Sequence, residues 1–124
     1  MRKRILVVDD DKAFADDLVF LLNGSYQFTV ATSSKEALAW LEKASFDLVI
    51  LDLVLPAYLA ESDEMEGVAL YKKIRAKYQG KALQVIIVTG ANISEDKIRA
   101  GEAGIDKILR KSSDLAQLRQ WINQ

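Results

Sequence analysis

The strongest constraint on the fold is a short apolar segment that ends at a carboxylate. Residues 46–56 read FDLVILDLVLP, in which the run LVIL is followed directly by Asp52. Four apolar residues are too few for a typical helix and are typical of a strand buried on both faces of a parallel sheet. We therefore predict a strand over 47–52, which Pro56 prevents from continuing. Because an enclosed carboxylate must be solvated, paired or metal-bound, Asp52 is the first candidate functional residue.

Strand-like and helical segments alternate along the whole chain. Strands are predicted over residues 4–8, 28–31, 47–52, 83–89 and 105–109. Apolar residues at helical spacing predict a helix after each strand, the third over 67–78 and the fourth over 95–103. Strict alternation indicates right-handed crossovers and a parallel sheet covered by helices on both faces. We expect an α/β fold of the flavodoxin-like (βα)5 type, with strand order 2-1-3-4-5.

Helical spacing also predicts which side chains face the core. The first helix is expected to bury Phe14, Leu18, Leu21 and Leu22, before a stop at Asn23-Gly24. The second begins with the capping-box signature of Ser33 and Glu36, and its inward face is predicted to hold Ala37, Trp40, Leu41 and Ala44. The last helix is expected to bury Leu115, Leu118 and Ile122.

The composition excludes several kinds of chemistry. The 124 residues include no Cys and no His, which excludes disulfides, thiol catalysis, Ser-His-Asp triads and metal sites built from Cys or His. A net charge of −1 without a basic stripe argues against direct nucleic-acid binding. No apolar run approaches the ~20 residues of a membrane span, and no signal-peptide pattern is present. We expect a single cytoplasmic domain over residues 1–124 that does not contact a membrane.

Charged and hydroxyl side chains follow four of the five predicted strands. Asp9 and Asp10 follow the first strand and Asp52 the third, whereas Thr89 ends the fourth and Lys111 follows the fifth. Parallel strands end at one edge of a sheet, so the acids are expected about one strand spacing, ~4.8 Å, apart. Oxygen ligands favour Mg²⁺, and a hydroxyl and an ammonium group beside them suit a phosphoryl group. Taken singly, each residue also has a structural interpretation, such as a helix cap for the acids.

The chain resembles the receiver domain of two-component response regulators over essentially its whole length. The resemblance rests on the segments ILVVDDD, DLVILDLVLP, VIIVTG and AGIDKILRK. It implies that Asp52 accepts a phosphoryl group from a phosphohistidine on a sensor histidine kinase or histidine phosphotransfer protein. Such a receiver is not a conventional enzyme, although it catalyses its own Mg²⁺-dependent phosphorylation and slow dephosphorylation. Its output would be a changed surface for an unknown output domain or protein, or for a homodimer.

The resemblance assigns a role to each residue of the cluster. Beside Asp52, Asp10 would ligate Mg²⁺ directly, Asp9 would act directly or through water, and the Val54 carbonyl would complete the protein ligands. Thr89 would donate a hydrogen bond to a phosphoryl oxygen, and Lys111 would pair with the phosphoryl group. Phosphorylation adds roughly −1.5 to −2 charges. The resemblance therefore implies that Thr89 and Lys111 are drawn to the acceptor, which shifts the loop after the fourth strand and the fourth helix.

The sequence departs from the family pattern in three places. Ser112 stands where family members usually carry Pro after the lysine, so we predict a trans Lys111-Ser112 bond and a somewhat shifted lysine. Ile108 stands where the family commonly has an aromatic residue that swings inward, so coupling would either run through Thr89 and backbone shifts alone or be weak. Residues 57–66 form a longer, acidic loop in place of about three residues. Tyr58 and Leu59 are expected to anchor this insertion, which is either a solvated loop or a partner-selecting element at the mouth of the site.

Three other functions share part of this residue pattern. An aspartyl phosphatase would also use a strand-end aspartate and Mg²⁺, but Val54 occupies the place of its second acid. A phosphorylation-independent interaction module of the same fold would not need the full set of five site residues. A flavin-binding protein would place a phosphate beside the acidic loop after the first strand, which would repel it unless a metal were bound.

Overall fold

The structure, a computed structural model, describes residues 3–22, 24, 26–61, 63–78, 83–90, 107–111 and 115–123. The predicted fourth helix, over 95–103, and the predicted trans bond between Lys111 and Ser112 lie outside these residues. Of the described helices, none is long and apolar enough to span a membrane.

Five parallel strands form one sheet in the order β2-β1-β3-β4-β5, which confirms the predicted flavodoxin-like topology. The strands are β1 (Lys3–Val8), β2 (Tyr26–Ala31), β3 (Leu48–Leu51), β4 (Gln84–Thr89) and β5 (Ile108–Arg110). Within the described residues, the helices are α1 (Lys12–Leu21), α2 (Ser34–Lys43), α3 (Glu66–Lys77) and a C-terminal helix (Leu115–Ile122). The register pairs Val8 with both Ala31 and Leu51, so these three strands end side by side.

The sheet is buried on both faces, as the unbroken apolar strands predict. On one face, α2 and α3 contribute Leu41, Leu70 and Ile74 to a core with alternate strand residues such as Leu6. On the other face, α1 and the C-terminal helix contribute Leu18, Leu118 and Ile122 to a second core. All four residues of β3 are almost fully buried. Because helices cover both faces, the polar residues that follow the strands are left at the carboxyl edge of the sheet.

Two side chains predicted to face the core lie at the surface instead. Trp40 is 38% exposed and Leu21 is 46% exposed. In α2, the buried positions Ser34, Ala37 and Leu41 define the inward stripe, and Trp40 lies beside it with its ring 5.6 Å from the Lys43 ammonium. The prediction failed because a four-residue apolar pattern at helical spacing does not decide which edge of the stripe contacts the sheet.

The helix caps follow the sequence signals. Asp11 caps α1 by accepting a hydrogen bond from the Phe14 backbone N–H, at 3.1 Å. Ser33 caps α2 by accepting from the Glu36 N–H, and the Glu36 carboxylate in turn accepts from the Thr32 N–H and hydroxyl. The contact between Ser33 and Glu36 confirms the predicted capping signature, although the Glu36 carboxylate accepts from Thr32, the residue before the cap, rather than from Ser33.

The N terminus of α3 lies directly against the end of β3. The Gly67 N–H donates to the Leu53 carbonyl at 2.9 Å. A Cβ on Gly67 would stand 2.3 Å from the Asp52 carbonyl oxygen and 2.4 Å from the Leu53 Cα. Both obstacles are backbone atoms, which cannot rotate away. The close approach of this helix to the candidate phosphoacceptor therefore requires glycine.

A buried carboxylate, Glu66, organises the long loop between β3 and α3. Its oxygens accept hydrogen bonds from the backbone N–H groups of Tyr58, Leu59 and Ala60, at 2.9 to 3.0 Å, and from the Ser34 hydroxyl at 2.5 Å. Only 5% of Glu66 is exposed, and it is the first residue of α3. The sequence pattern predicts that this helix begins at Gly67 and that Glu66 is one of the acids of the insertion. The observed helix begins one residue earlier.

The insertion is therefore attached to the domain rather than only a solvated loop. Leu59 packs against the core, as predicted, whereas Tyr58 is 58% exposed and its side chain does not provide the predicted anchor. Glu64 forms an ion pair with Lys72 of α3. Of the four acids in residues 57–66, Glu64 and Glu66 thus make contacts within the domain. The other two, Glu61 and Asp63, are exposed.

Burial alone would raise the pKa of Glu66. The hydrogen bonds from the Ser34 hydroxyl and from the three backbone N–H groups outweigh burial and hold this pKa below its ordinary value of 4.5. Because the folded-state pKa is depressed, the stabilisation by Glu66 is present above the unfolded-state pKa. It is lost as the pH falls through the folded-state value.

We predict that Gly67→Ala lowers the free energy of unfolding by about 3 kcal/mol, since an added methyl group would overlap the backbone after β3. Urea denaturation measures the change. Gly90→Ala is the matched control, because its Cβ would lie 3.7 Å from the Lys111 Cδ, an ordinary contact. The control should change stability by less than about 1 kcal/mol. Equal stabilities of the two variants would contradict the close approach.

We predict that Glu66→Gln destabilises the domain by roughly 2 kcal/mol at pH 7, because charge-assisted hydrogen bonds to four donors are weakened. The difference in the free energy of unfolding between the variant and the wild type should narrow as the pH falls below 4.5, because Glu66 of the wild type then becomes protonated. Urea denaturation at a series of pH values tests this. Glu61→Gln, at an exposed position of the same loop, should show no such dependence. A difference that stays constant down to low pH would refute the role assigned to the ionised Glu66.

Candidate functional site

Backbone hydrogen bonds bring the predicted site residues to one edge of the sheet. The Asp9 N–H donates to the Ala31 carbonyl and the Asp52 N–H to the Val8 carbonyl, each at 3.0 Å. The Lys111 N–H donates to the Thr89 carbonyl, also at 3.0 Å. The sheet hydrogen bonding thus extends one residue past β1, β3 and β5, and it fixes the backbone from which the polar side chains project.

Lys111 joins two of the acids in one ion-paired cluster. Its Nζ lies 2.8 Å from the Asp9 Oδ2 and 3.1 Å from the Asp52 Oδ2. The Asp9 and Asp52 residues are 2% and 3% exposed, and the lysine side chain is 20% exposed. Two buried carboxylates repel each other unless a cation lies between them. The Lys111 ammonium provides that charge.

Burial raises the pKa of Asp9, and the nearby Asp52 charge acts in the same direction. Hydrogen bonds from Lys111 and from the Asp11 N–H oppose these effects without reversing them. For Lys111, burial lowers the pKa, but the hydrogen bonds and charges of Asp9 and Asp52 outweigh burial and raise it. The lysine is therefore held in its charged form by the two acids.

The three predicted metal-ligating acids converge. Asp9, Asp10 and Asp52 each offer a carboxylate oxygen, and these three oxygens lie within 4.8 Å of one another. Asp10 is exposed to solvent, whereas the other two are buried. An all-oxygen donor set with one ligand open to water fits a hard divalent cation that keeps part of its hydration shell. The residues present thus suit a metal ion, as the sequence predicts.

The third acid after β1 has a different role. Asp11 caps α1, and its own N–H donates to the Asp9 Oδ1 at 2.9 Å. Of the three consecutive acids, Asp11 therefore caps α1, and Asp9 and Asp10 belong to the cluster with Asp52. Sequence reasoning left the capping interpretation open for the whole triplet, and the contacts assign it to Asp11 alone.

A shallow cleft of about 300 Å³ lies over the cluster and is lined by Asp10, Asp11, Asp52, Val54, Gly90 and Lys111. The Val54 N–H donates to the Asp52 Oδ1 at 3.3 Å, so the backbone after β3 turns over the carboxylate. Thr89 is 3% exposed at the end of β4. Ile108 is buried in β5 and packs in the core formed with α2 and α3.

One contact of the cluster was missed by sequence reasoning. The Lys111 Nζ lies 4.5 Å from the centre of the Phe14 ring. Helical spacing assigned Phe14 to the core, which it partly joins, and no sequence signal links it to a lysine 97 positions away. Glu66 was missed for a similar reason, because its hydrogen-bond donors lie on a loop and on another helix. Its place at the end of an acid-rich segment, just before a glycine, was the available signal.

Comparison with known proteins agrees with the geometry. The family model for the response regulator receiver domain matches residues 5–123. The sensory transduction protein RegX3 of Mycobacterium tuberculosis is 34% identical over 115 residues, which are 92% of this chain and 46% of RegX3. The chain thus spans about half the length of that relative.

Two solved structures are similar over nearly the whole chain. A CheY-like receiver domain from Methanospirillum hungatei has a TM-score of 0.81 at 31% identity, over 99% of this chain and 92% of its own. TrrA from Thermotoga maritima, solved in complex with Mg(2+)-BeF, has a TM-score of 0.76 at 28% identity, over 98% of this chain and 96% of its own. Since the family model covers all but five residues, the chain belongs to the response regulator receiver domains of two-component systems.

Proposed function

We propose that Asp52 is the phosphoacceptor of this receiver domain. The observation that carries the proposal is the placement of its buried carboxylate at an open cleft, beside a lysine and within 4.8 Å of two further acids. An Asp52 oxygen would attack the phosphorus of a phosphohistidine on a sensor histidine kinase or histidine phosphotransfer protein. The new O–P bond replaces the N–P bond, and the departing imidazole nitrogen takes a proton from water.

We propose Mg²⁺ as the metal held by the acidic cluster. The carboxylates of Asp9, Asp10 and Asp52 and the carbonyl of Val54 would hold it, since hard oxygen donors suit this ion. The TrrA structure, in which Mg(2+)-BeF is bound, supports this choice. When bound, the ion supplies positive charge against the oxygens of the incoming phosphoryl group.

We propose that Lys111 and Thr89 respond to the new charge. Lys111 already contacts the Asp52 Oδ2, and would pair with a phosphoryl oxygen once that carboxylate carries the group. The Thr89 hydroxyl would donate a hydrogen bond to another phosphoryl oxygen. Because Lys111 is bonded through its backbone to Thr89, a shift of either residue would move the ends of β4 and β5 together. The output would be a changed surface for a partner.

The same proposal places the domain, within residues 1–124, in the cytoplasm with its kinase partner. The full set of strand-end acids with Lys111 favours phosphorylation over an interaction module that works without it, because such a module would not need them. Nucleic-acid recognition, if the pathway uses it, is assigned to another domain or protein, since this chain carries a net charge of −1.

We predict a single phosphoryl adduct after incubation with Mg²⁺ and a small acyl-phosphate donor, detected by intact-mass spectrometry. The adduct should be absent from Asp52→Asn and from a sample treated with a metal chelator. Asp16→Asn is the matched control, because Asp16 is an exposed acid of α1 outside the cleft, and it should be phosphorylated like wild type. No adduct on the wild-type chain, or an adduct that persists in Asp52→Asn, would contradict the assignment.

A further inference from the structure

The ammonium group of Lys111 is enclosed from two directions. The carboxylates of Asp9 and Asp52 contact it on one side, and the ring of Phe14 lies on another, with its centre 4.5 Å away. A cation within about 6 Å of a ring centroid is attracted to the negative face of the ring. Among the described residues, this is the shortest such distance, the others running from 5.3 to 5.8 Å.

The start of α1 determines where the Phe14 ring lies. The backbone N–H of Phe14 is the group that donates to the Asp11 cap, so the first turn of the helix is fixed at this residue. The ring is partly buried against the core that α1 shares with the C-terminal helix. The position of the ring is therefore restricted by packing against this core and by the capped first turn of the helix. A ring fixed in this way can restrict a flexible lysine, whose four-carbon side chain otherwise has several rotamers.

We propose that Phe14 is a positioning residue for Lys111. Its ring holds the ammonium group at the mouth of the acidic cluster, so that the lysine needs little reorganisation to meet an incoming phosphoryl group. This proposal rests on the proposed function, because it assumes that Lys111 contacts the phosphoryl group at Asp52. The Phe14 ring has no group that could hydrogen-bond to a phosphoryl oxygen, so its effect is transmitted through the lysine.

The contact can be observed without any phosphorylation. Protons of the Lys111 ε-methylene that lie over a ring face resonate upfield of those in a solvated lysine, and NMR measures this shift directly. In Phe14→Leu, which keeps an apolar side chain but removes the ring, the shift should disappear. In Phe14→Tyr, which keeps the ring, it should persist. A Lys111 resonance that is the same in wild type and in Phe14→Leu would overturn the proposal.

The effect on function is measured as the rate of phosphorylation by a small acyl-phosphate donor with Mg²⁺, which needs no docking of a kinase. Phe14→Leu should slow the reaction about two- to fivefold, the range that corresponds to a partly exposed cation–π contact. Phe14→Tyr should restore the rate. Phe28→Leu is the matched control, because Phe28 packs partly buried against the same core from β2. It should leave the rate unchanged.

Replacing Phe14 by phenylalanines with one to five ring fluorines distinguishes the attraction between the Lys111 ammonium and the ring face from simple packing of the side chain. Fluorination keeps the shape of the ring and progressively removes its negative face, so the rate should fall stepwise with each addition. A flat series, or equal rates for Phe14→Leu and Phe28→Leu, would show that the ring only fills space and would overturn the proposal. A wild-type chain that takes up no phosphoryl group would instead contradict the proposed function, while the Lys111 shift would still report the contact.

Discussion

The convergence of negative charge at one edge of the sheet is the constraint on which the rest of the site depends. Parallel β1 and β3 end side by side, and this places the buried carboxylates of Asp9 and Asp52 next to each other. Without a cation such a pair is unfavourable. Lys111, delivered from the end of β5, supplies one positive charge to both. The topology therefore creates the charge cluster and also provides the residue that balances it.

Asp52, the proposed phosphoacceptor, is also restricted by contacts with the helices on the two faces of the sheet. Gly67 allows α3 to approach the backbone of Asp52, and Glu66 gathers the loop that begins after Val54 by accepting three backbone hydrogen bonds. On the opposite face, Asp11 fixes the first turn of α1 beneath Phe14. The contacts of Gly67 and Asp11 restrict backbone that lines the cleft, and those of Glu66 restrict the loop that continues from it. A geometry that is already assembled needs less reorganisation when a phosphoryl group arrives.

The strands and the five site positions could be predicted from the sequence because both follow from local patterns, whereas the sheet order was taken from the flavodoxin-like fold that five alternating strand-helix units suit. Apolar runs mark buried strands, and the residue after each run must lie at the carboxyl edge. The contacts of Glu66 and Phe14 could not be predicted in this way. Glu66 looks like one more acid of an exposed loop, and only the fold brings the N–H groups of residues 58–60 around it. Trp40 was placed wrongly because helical spacing alone does not fix the exact rotation of a helix.

The most direct measurement is the affinity for Mg²⁺, by isothermal titration calorimetry, of the wild-type chain and of Lys111→Met. If the Lys111 ammonium balances the charge of the acids, it competes with a metal ion for the same oxygens. One Mg²⁺ per chain should then bind, and removing the lysine charge should tighten binding by about tenfold, since opposite charges a few ångströms apart interact strongly in a partly buried site. No binding to the wild type, or equal or weaker binding to Lys111→Met, would contradict this balance of charge.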